Sequence, residues 1–252
     1  MDIKLLDLNV SVSDKLVLQD FNLHIKKGEV HVIMGPNGVG KSSLSKLIMG
    51  SPLYKINKGD ILVDSKSLKN LTTDEIAKLG IFLSFQNPIE VEGITNSEFL
   101  RTAMNTKDEQ IGLFDFITSL EQSINDLSME KEMMHRSINV NFSGGEKKKN
   151  EILQMKLLKP KFIILDELDS GLDIDALNIV SKNINQYLKE NSDTSVLLIT
   201  HYPRILNFIK PDFIHVLIDG KIKETGDINL AMEIEKNGYK NYNSSTSLLS
   251  EK

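Results

Sequence analysis

The chain has 252 residues, 40% hydrophobic and 26% charged, with a formal net charge of −5. That composition suits a globular protein with a large core and offers no basic surface for nucleic acid. No cysteine is present, which excludes disulfides, thiolate metal sites and a cysteine nucleophile, and fits a reducing compartment.

No apolar segment of the signal-peptide kind follows the start Met1-Asp2-Ile3-Lys4. No run approaches the ~18 apolar residues of a membrane span, so a membrane would be reached through a partner and not by direct insertion.

The first elements alternate. Ile3 to Val12, and then Phe21-Asn22-Leu23-His24-Ile25, read as half-buried antiparallel strands with a turn near Asp14 and Lys15. The apolar strand Val30-His31-Val32-Ile33-Met34 runs straight into Gly35-Pro36-Asn37-Gly38-Val39-Gly40-Lys41-Ser42-Ser43. This is a G-x-x-x-x-G-K-[ST] phosphate loop in its strand-loop-helix setting. Its glycines let backbone N–H groups converge on one anion, and the following helix adds its positive dipole end. Lys41 can reach phosphate oxygens and the Ser42 hydroxyl can sit on Mg²⁺.

The helix carries Leu44, Leu47 and Ile48 at helical spacing and stops at Gly50 and Pro52. A short strand is expected over Gly59-Asp60-Ile61-Leu62-Val63, a helix opening at Thr72, and a strand over Ile81 to Phe85, broken by Gln86-Asn87-Pro88. From about Ile94 to Leu158 no strand-like run appears, and Met-rich amphipathic segments predict a helical insertion. Its Met129, Met133, Met134 and Met155 read as core filler.

Apolar strands return at Phe162-Ile163-Ile164-Leu165, at Ser195 to Thr200 and at Phe213 to Ile218. A crossover helix lies over Ile174 to Leu188, and Asp219-Gly220 signals a hairpin. The expected architecture is a single α/β domain over 1–252, with a mostly parallel sheet and an antiparallel β edge layer. Residues 1–93 and 159–240 form its core and 94–158 a helical subdomain. Residues 241–252, rich in Ser and Asn, read as a disordered tail.

The strand ending in Asp166-Glu167 puts two acids at the carboxyl edge of the sheet, beside the phosphate loop. Asp166 can hold Mg²⁺ and Glu167 is free to polarise water. His201 follows a neighbouring strand and so lies on the same edge; Gln86 also follows a strand. Ser143-Gly144-Gly145-Glu146 opens a second helix with exposed N–H groups, hence a second anion cradle, in a lysine-rich run that otherwise reads as a solvated helix start. One nucleotide needs one cradle, so the second points to a nucleotide held by another copy.

In order and spacing, these stretches resemble the nucleotide-binding ATPases of the ABC superfamily over nearly the whole chain. The resemblance marks Gly35 to Ser42 as the Walker A phosphate loop and Gln86 as the Q-loop. Ser143, Gly144, Gly145 and Glu146 take the place of the signature, and Asp166 and Glu167 of the Walker B acids. Ser170-Gly171-Leu172-Asp173 stands as the D-loop and His201 as the H-loop. Residues 84–94, 143–155, 170–177 and 200–206 are similar, more narrowly, to the SufC family, the ATPases of the Suf iron–sulfur cluster assembly system.

The resemblance implies a P-loop NTPase fold and a Mg²⁺-dependent ATPase of the cytoplasm or an organelle stroma. Two copies would close transiently around two ATPs. Residues 35–43 would hold the phosphates, Ser42, Gln86 and Asp166 the metal, with Gln86 and His201 beside the catalytic Glu167. The partners implied are Suf scaffold proteins of the SufB and SufD type, and the cluster would lie on them, since this chain has no thiolate for it.

Glu146 and Leu168 depart from the superfamily's usual Gln and Pro. No aromatic lies between Val10 and Val17, where relatives often stack one on adenine. Two other readings stay open: the ATPase of a membrane transporter, and a nucleotide-dependent switch that hardly hydrolyses ATP. An intact Glu167 and His201 argue against the switch.

Overall fold

The computed structural model describes residues 1–106 and 111–242. Strands β1 (Ile3–Val12) and β2 (Lys15–Ile25) pair antiparallel across a turn at Ser13 and Asp14, both with positive φ. Strand β3 (Val30–Met34) leads through the glycine loop into α1 (Lys41–Ile48). Then come β4 (Lys55–Val63), β5 (Lys66–Ser67), α2 (Thr73–Lys78), opened by a Thr72/Glu75 capping box, and β6 (Ile81–Ser84).

The next segment holds β7 (Val91–Thr95), α3 (Asn96–Met104), α4 (Leu113–Asp126), β8 (Ser137–Ile138) and α5 (Gly144–Leu158). The chain continues through β9 (Phe162–Asp166), α6 (Ile174–Glu190), β10 (Ser195–Ile199), β11 (Phe213–Ile218), β12 (Lys221–Gly226) and α7 (Ile228–Asn237).

The central sheet has the order β12-β11-β3-β10-β9-β6. Strands β11, β3, β10, β9 and β6 run parallel, and β12 returns antiparallel through Asp219-Gly220, both with positive φ as a two-residue hairpin turn requires. Both faces are buried. Val32, Met34, Ile163, Leu165, Val196 and Leu198 enter a core shared with α5, α6, α7 and the helices of the 94–158 segment. Their neighbours Ile33, Ile164, Leu197 and Ile199 enter a second core, shared with α1 and the β1/β2/β4 layer. Alternation sends successive side chains to opposite faces, and each buried Ile or Leu contributes about 1.5–3 kcal/mol over an exposed one.

The antiparallel layer is a sheet of its own, β2-β1-β4-β5, packed through the second core. Two expectations need refinement. The 94–158 segment is not free of strands: β8 pairs with β7, which starts at Val91. Periodicity misses β8 because two residues are too short to show alternation. Of the segment read as a disordered tail, Asn241 and Tyr242 lie in a 3₁₀ turn, with the Tyr242 hydroxyl on Glu224; residues 243–252 lie outside the described residues. Met133, Met134 and Met155 are buried in the first core and Met129 packs against it.

A polar chain centred on two buried histidines crosses from β3 to β12. His31 Nε2 meets Glu29 Oε2 at 3.0 Å, His31 Nδ1 meets His215 Nε2 at 2.9 Å, and His215 Nδ1 meets Thr225 Oγ1 at 2.8 Å. Burial, with the facing His31, pushes His215 down to about 4. The folded chain therefore resists a proton that the unfolded chain accepts near 6.5. Stability from this site is complete above that range and falls as the pH drops towards 4, at up to about 1.4 kcal/mol per pH unit for each proton. Thermal unfolding between pH 7 and pH 5 should show this slope, and His215→Gln should flatten it; an equal slope in the variant would exclude His215 as its source.

Candidate functional site

The carboxyl ends of four parallel strands meet at one edge. In register, Ile199 of β10 lies opposite both Ile33 of β3 and Asp166 of β9, and Ser84 of β6 lies opposite Leu165. The residues that leave those ends are the glycine loop, Glu167, Thr200-His201 and Phe85-Gln86. A cavity of about 330 Å³ opens there, lined by Val17, Asn37, Lys41, Gln86, Glu167 and His201 together with the loop residues Gly38, Gly40, Ser42 and Ser43.

Glycine is needed at two loop positions. Gly40, φ 105°, stands at the N-cap of α1, where a Cβ would come within 2.8 Å of the Val17 carbonyl oxygen. A Cβ on Gly35 would meet the Leu217 carbonyl oxygen at 2.3 Å. The loop can therefore pass close against the β2 and β11 backbones.

Lys41 is buried. Its Nζ donates to the carbonyl oxygens of Gly35 and Pro36, both at 2.8 Å, so the ammonium braces the loop it follows. Burial lowers its pKa, and the nearby Glu167 and Asp166 carboxylates oppose that.

Asp166 is held from α1. Ser42 Oγ faces its Oδ1 at 3.4 Å, and Ser45 Oγ donates to its Oδ2 at 2.7 Å. Burial raises the Asp166 carboxyl; the Ser45 hydrogen bond pulls it down, and the neighbouring Glu167 pushes it up. Ser45 escaped the sequence reading because it lies one helical turn beyond the motif. The signal was there: a polar residue on the buried face between Leu44 and Leu47. An all-oxygen donor set of hydroxyl, carboxylate and the Gln86 amide suits a hard cation such as Mg²⁺.

Glu167 takes a left-handed backbone, φ 49°, uncommon outside glycine. Its amide donates to the Ile199 carbonyl oxygen at 2.9 Å, which fixes that turn. Its carboxylate lies between two groups: Gln86 Nε2 donates to Oε2, and His201 Nδ1 stands 3.4 Å from Oε1. The Tyr202 ring packs against His201 with centroids 3.8 Å apart and the planes tilted by 44°, a contact the sequence reading did not anticipate.

The second glycine pair is not in this cavity. Ser143 caps α5, accepting from the Glu146 amide at 3.3 Å, while Glu146 Oε2 accepts from the Ser143 amide at 2.7 Å. Glu146 thus closes a capping box, and hydrogen bonds from the Ser143 backbone and side chain hold its carboxyl below the usual range. Ser143 and Gly144 are exposed. The helix start abuts the Ser170–Asp173 turn: a Cβ on Gly144 would lie 3.4 Å from the Gly171 carbonyl oxygen, and one on Gly145 would touch Ala176 and Leu172. Asp173 caps α6 by accepting from the Ala176 amide at 2.7 Å, and Ser170 is exposed. Leu168 is fully buried in the first core.

Among the described residues, no helix is long and apolar enough to cross a membrane. The profile described as "ABC transporter" matches residues 18–170. A probable ABC transporter ATP-binding protein of Streptococcus pyogenes serotype M3 is 51% identical over 236 residues, covering 92% of this chain and 91% of that protein. A probable ATP-dependent transporter, ycf16, of Pyropia yezoensis is 49% identical over 238 residues, covering 92% of this chain and 94% of that protein. Among solved structures, the dimeric bacterial ABC transporter cassette MJ0796 superposes with a TM-score of 0.76 at 22% identity, covering 90% of this chain and 98% of that one. With its glycine loop, paired acids and cassette fold in one frame, the chain belongs to the ABC transporter family.

Proposed function

We propose that this chain is a Mg²⁺-dependent ATPase that drives iron–sulfur cluster assembly on scaffold partners of the SufB and SufD type, through ATP-dependent head-to-tail closure of two copies. The observation that carries the ATPase reading is the convergence of Lys41, Ser42, Gln86, Asp166, Glu167 and His201 on one sheet edge.

In this reading the amides of residues 35–43 and the Lys41 ammonium hold the nucleotide phosphates. Ser42, Asp166 and Gln86 would hold Mg²⁺, which neutralises developing phosphate charge when bound. Glu167 accepts a proton from the attacking water. His201, beside the second Glu167 oxygen, contacts the terminal phosphate. Val17 and Asn37 line the same cavity. The Ser143 hydroxyl and the Gly144 and Gly145 amides, at a helix start outside the chain's own cavity, reach the terminal phosphate held by a second copy, with Ser170–Asp173 at the same seam.

The Suf role rests on the stretches around Gln86, Ser143, Ser170 and His201 that resemble the SufC family. The cluster is cargo of the scaffold, since this chain has no cysteine. A second reading, the ATPase of a membrane transporter, is favoured by the transporter names of the relatives.

Glu167→Gln should bind ATP as the native chain does but turn it over about 10²–10⁴-fold more slowly, the usual loss of a general base. Normal turnover in that variant would remove Glu167 from the role of base. The untagged chain purified from its own cell without detergent should carry a pair of scaffold proteins. Association with a detergent-requiring membrane protein instead would favour the transporter reading.

A further inference from the structure

Helix α5 carries a buried charge pair that does not line the cavity just described. Lys148 and Glu151 lie one turn apart, with side chains 3% and 4% exposed and Nζ to Oε2 at 3.2 Å. Burying two charges is costly, and a well-packed apolar pair often does as well for stability, so stability alone is a poor account of them.

Their hydrogen bonds to the rest of the chain go to Ser84, at the end of β6, and to the Phe85 backbone that follows it. Ser84 Oγ donates to Glu151 Oε2 at 2.8 Å, and the Phe85 amide donates to Glu151 Oε1 at 2.7 Å. Lys148 Nζ donates to the Phe85 carbonyl oxygen. Both polar groups of the Phe85 backbone are thus held by α5, directly before Gln86. Further along, Asn150 of α5 donates to Asn96 at 2.8 Å and to Asn139 at 2.9 Å, and Asn139 donates to the Ile89 carbonyl oxygen at 2.9 Å. The segment from Ser84 to Asn96 is therefore fastened to the helix whose start is Ser143.

We propose that Glu151 is a positioning residue for hydrolysis: it ties the Ser84–Phe85 backbone to α5, so that Gln86 meets Glu167 only while α5, with the Ser143 cradle at its start, is in place. This rests on the ATPase reading above. The charge pair makes the two halves of the composite site report on each other. A shift of α5 on closure moves Gln86, and a displaced Gln86 loosens its hold on Glu167.

A double-mutant cycle on the full chain tests this. Turnover at saturating ATP and Mg²⁺ is measured for the native chain, Glu151→Gln, Gln86→Ala and the double variant. Glu151→Gln should lower kcat by about tenfold, inside the roughly hundredfold that a 1 Å misplacement can cost, with KM for ATP within about twofold. The double variant should be no slower than the slower single variant, because both changes remove one arrangement. Should Glu151→Gln fail to fold, Ser84→Ala, which removes only the hydroxyl on Glu151, replaces it in the same cycle with the same expected pattern. A native rate in the Glu151 or Ser84 variant, or losses that multiply in the double variant, overturns the proposal and leaves the ATPase reading intact. A native rate in Gln86→Ala removes both Gln86 from the site and this proposal. A native chain that does not hydrolyse ATP removes the ATPase reading together with it.

Discussion

The structure depends on the register of four parallel strands. Ile199 sits opposite Ile33 on one side and Asp166 on the other, and Ser84 sits opposite Leu165. Parallel pairing puts every carboxyl end on the same edge, where the glycine loop, Glu167, His201 and Gln86 emerge within reach of one another. Both faces of the strands are buried, one under helices and one under the β1/β2/β4 layer. A one-residue slip would exchange those faces, so the two cores hold the register against slippage. The site inherits its geometry from packing more than from its own polar contacts.

Polar contacts then set the finer placement. Ser45 takes one oxygen of Asp166 and leaves the other towards Ser42. The Ile199 carbonyl oxygen holds Glu167 in a left-handed turn, and its carboxylate lies between Gln86 and His201. The Ser143 helix start lies outside this arrangement, packed by its glycines on the Ser170–Asp173 turn. An exposed helix start that does not line the cavity of its own phosphate loop is the physical basis for reading the site as shared between two copies.

The main strands were legible because their signals are local. The apolar runs at Val30, Phe162, Ser195 and Phe213 are long enough to read, and Gly35 to Ser42 carries its chemistry in spacing alone. Placement of Gln86 and His201 at one edge also followed once the strands were taken as parallel. Contacts between distant segments were not legible. Ser45 on Asp166, Glu151 on Phe85 and the His31–His215 pair join residues 121, 66 and 184 positions apart, with no periodicity to announce them. The two-residue β8 escaped for the same reason: its long-range pairing with β7 decides it. Glu146 stood out as a departure from the superfamily's Gln, and its place three residues after Ser143 is a capping-box pattern that the fold realises.

The central claim is that the phosphate loop of one copy works with the Ser143 helix start of another. Mixing two inactive variants tests it most directly. Lys41→Ala disables a phosphate loop, and Ser143→Arg places bulk on the second cradle. A head-to-tail pair made of one of each retains one intact composite site. ATPase activity should therefore reappear on mixing, at a rate that depends on total protein concentration, while each variant alone stays inactive. A mixture no more active than the sum of its two components would contradict a shared site.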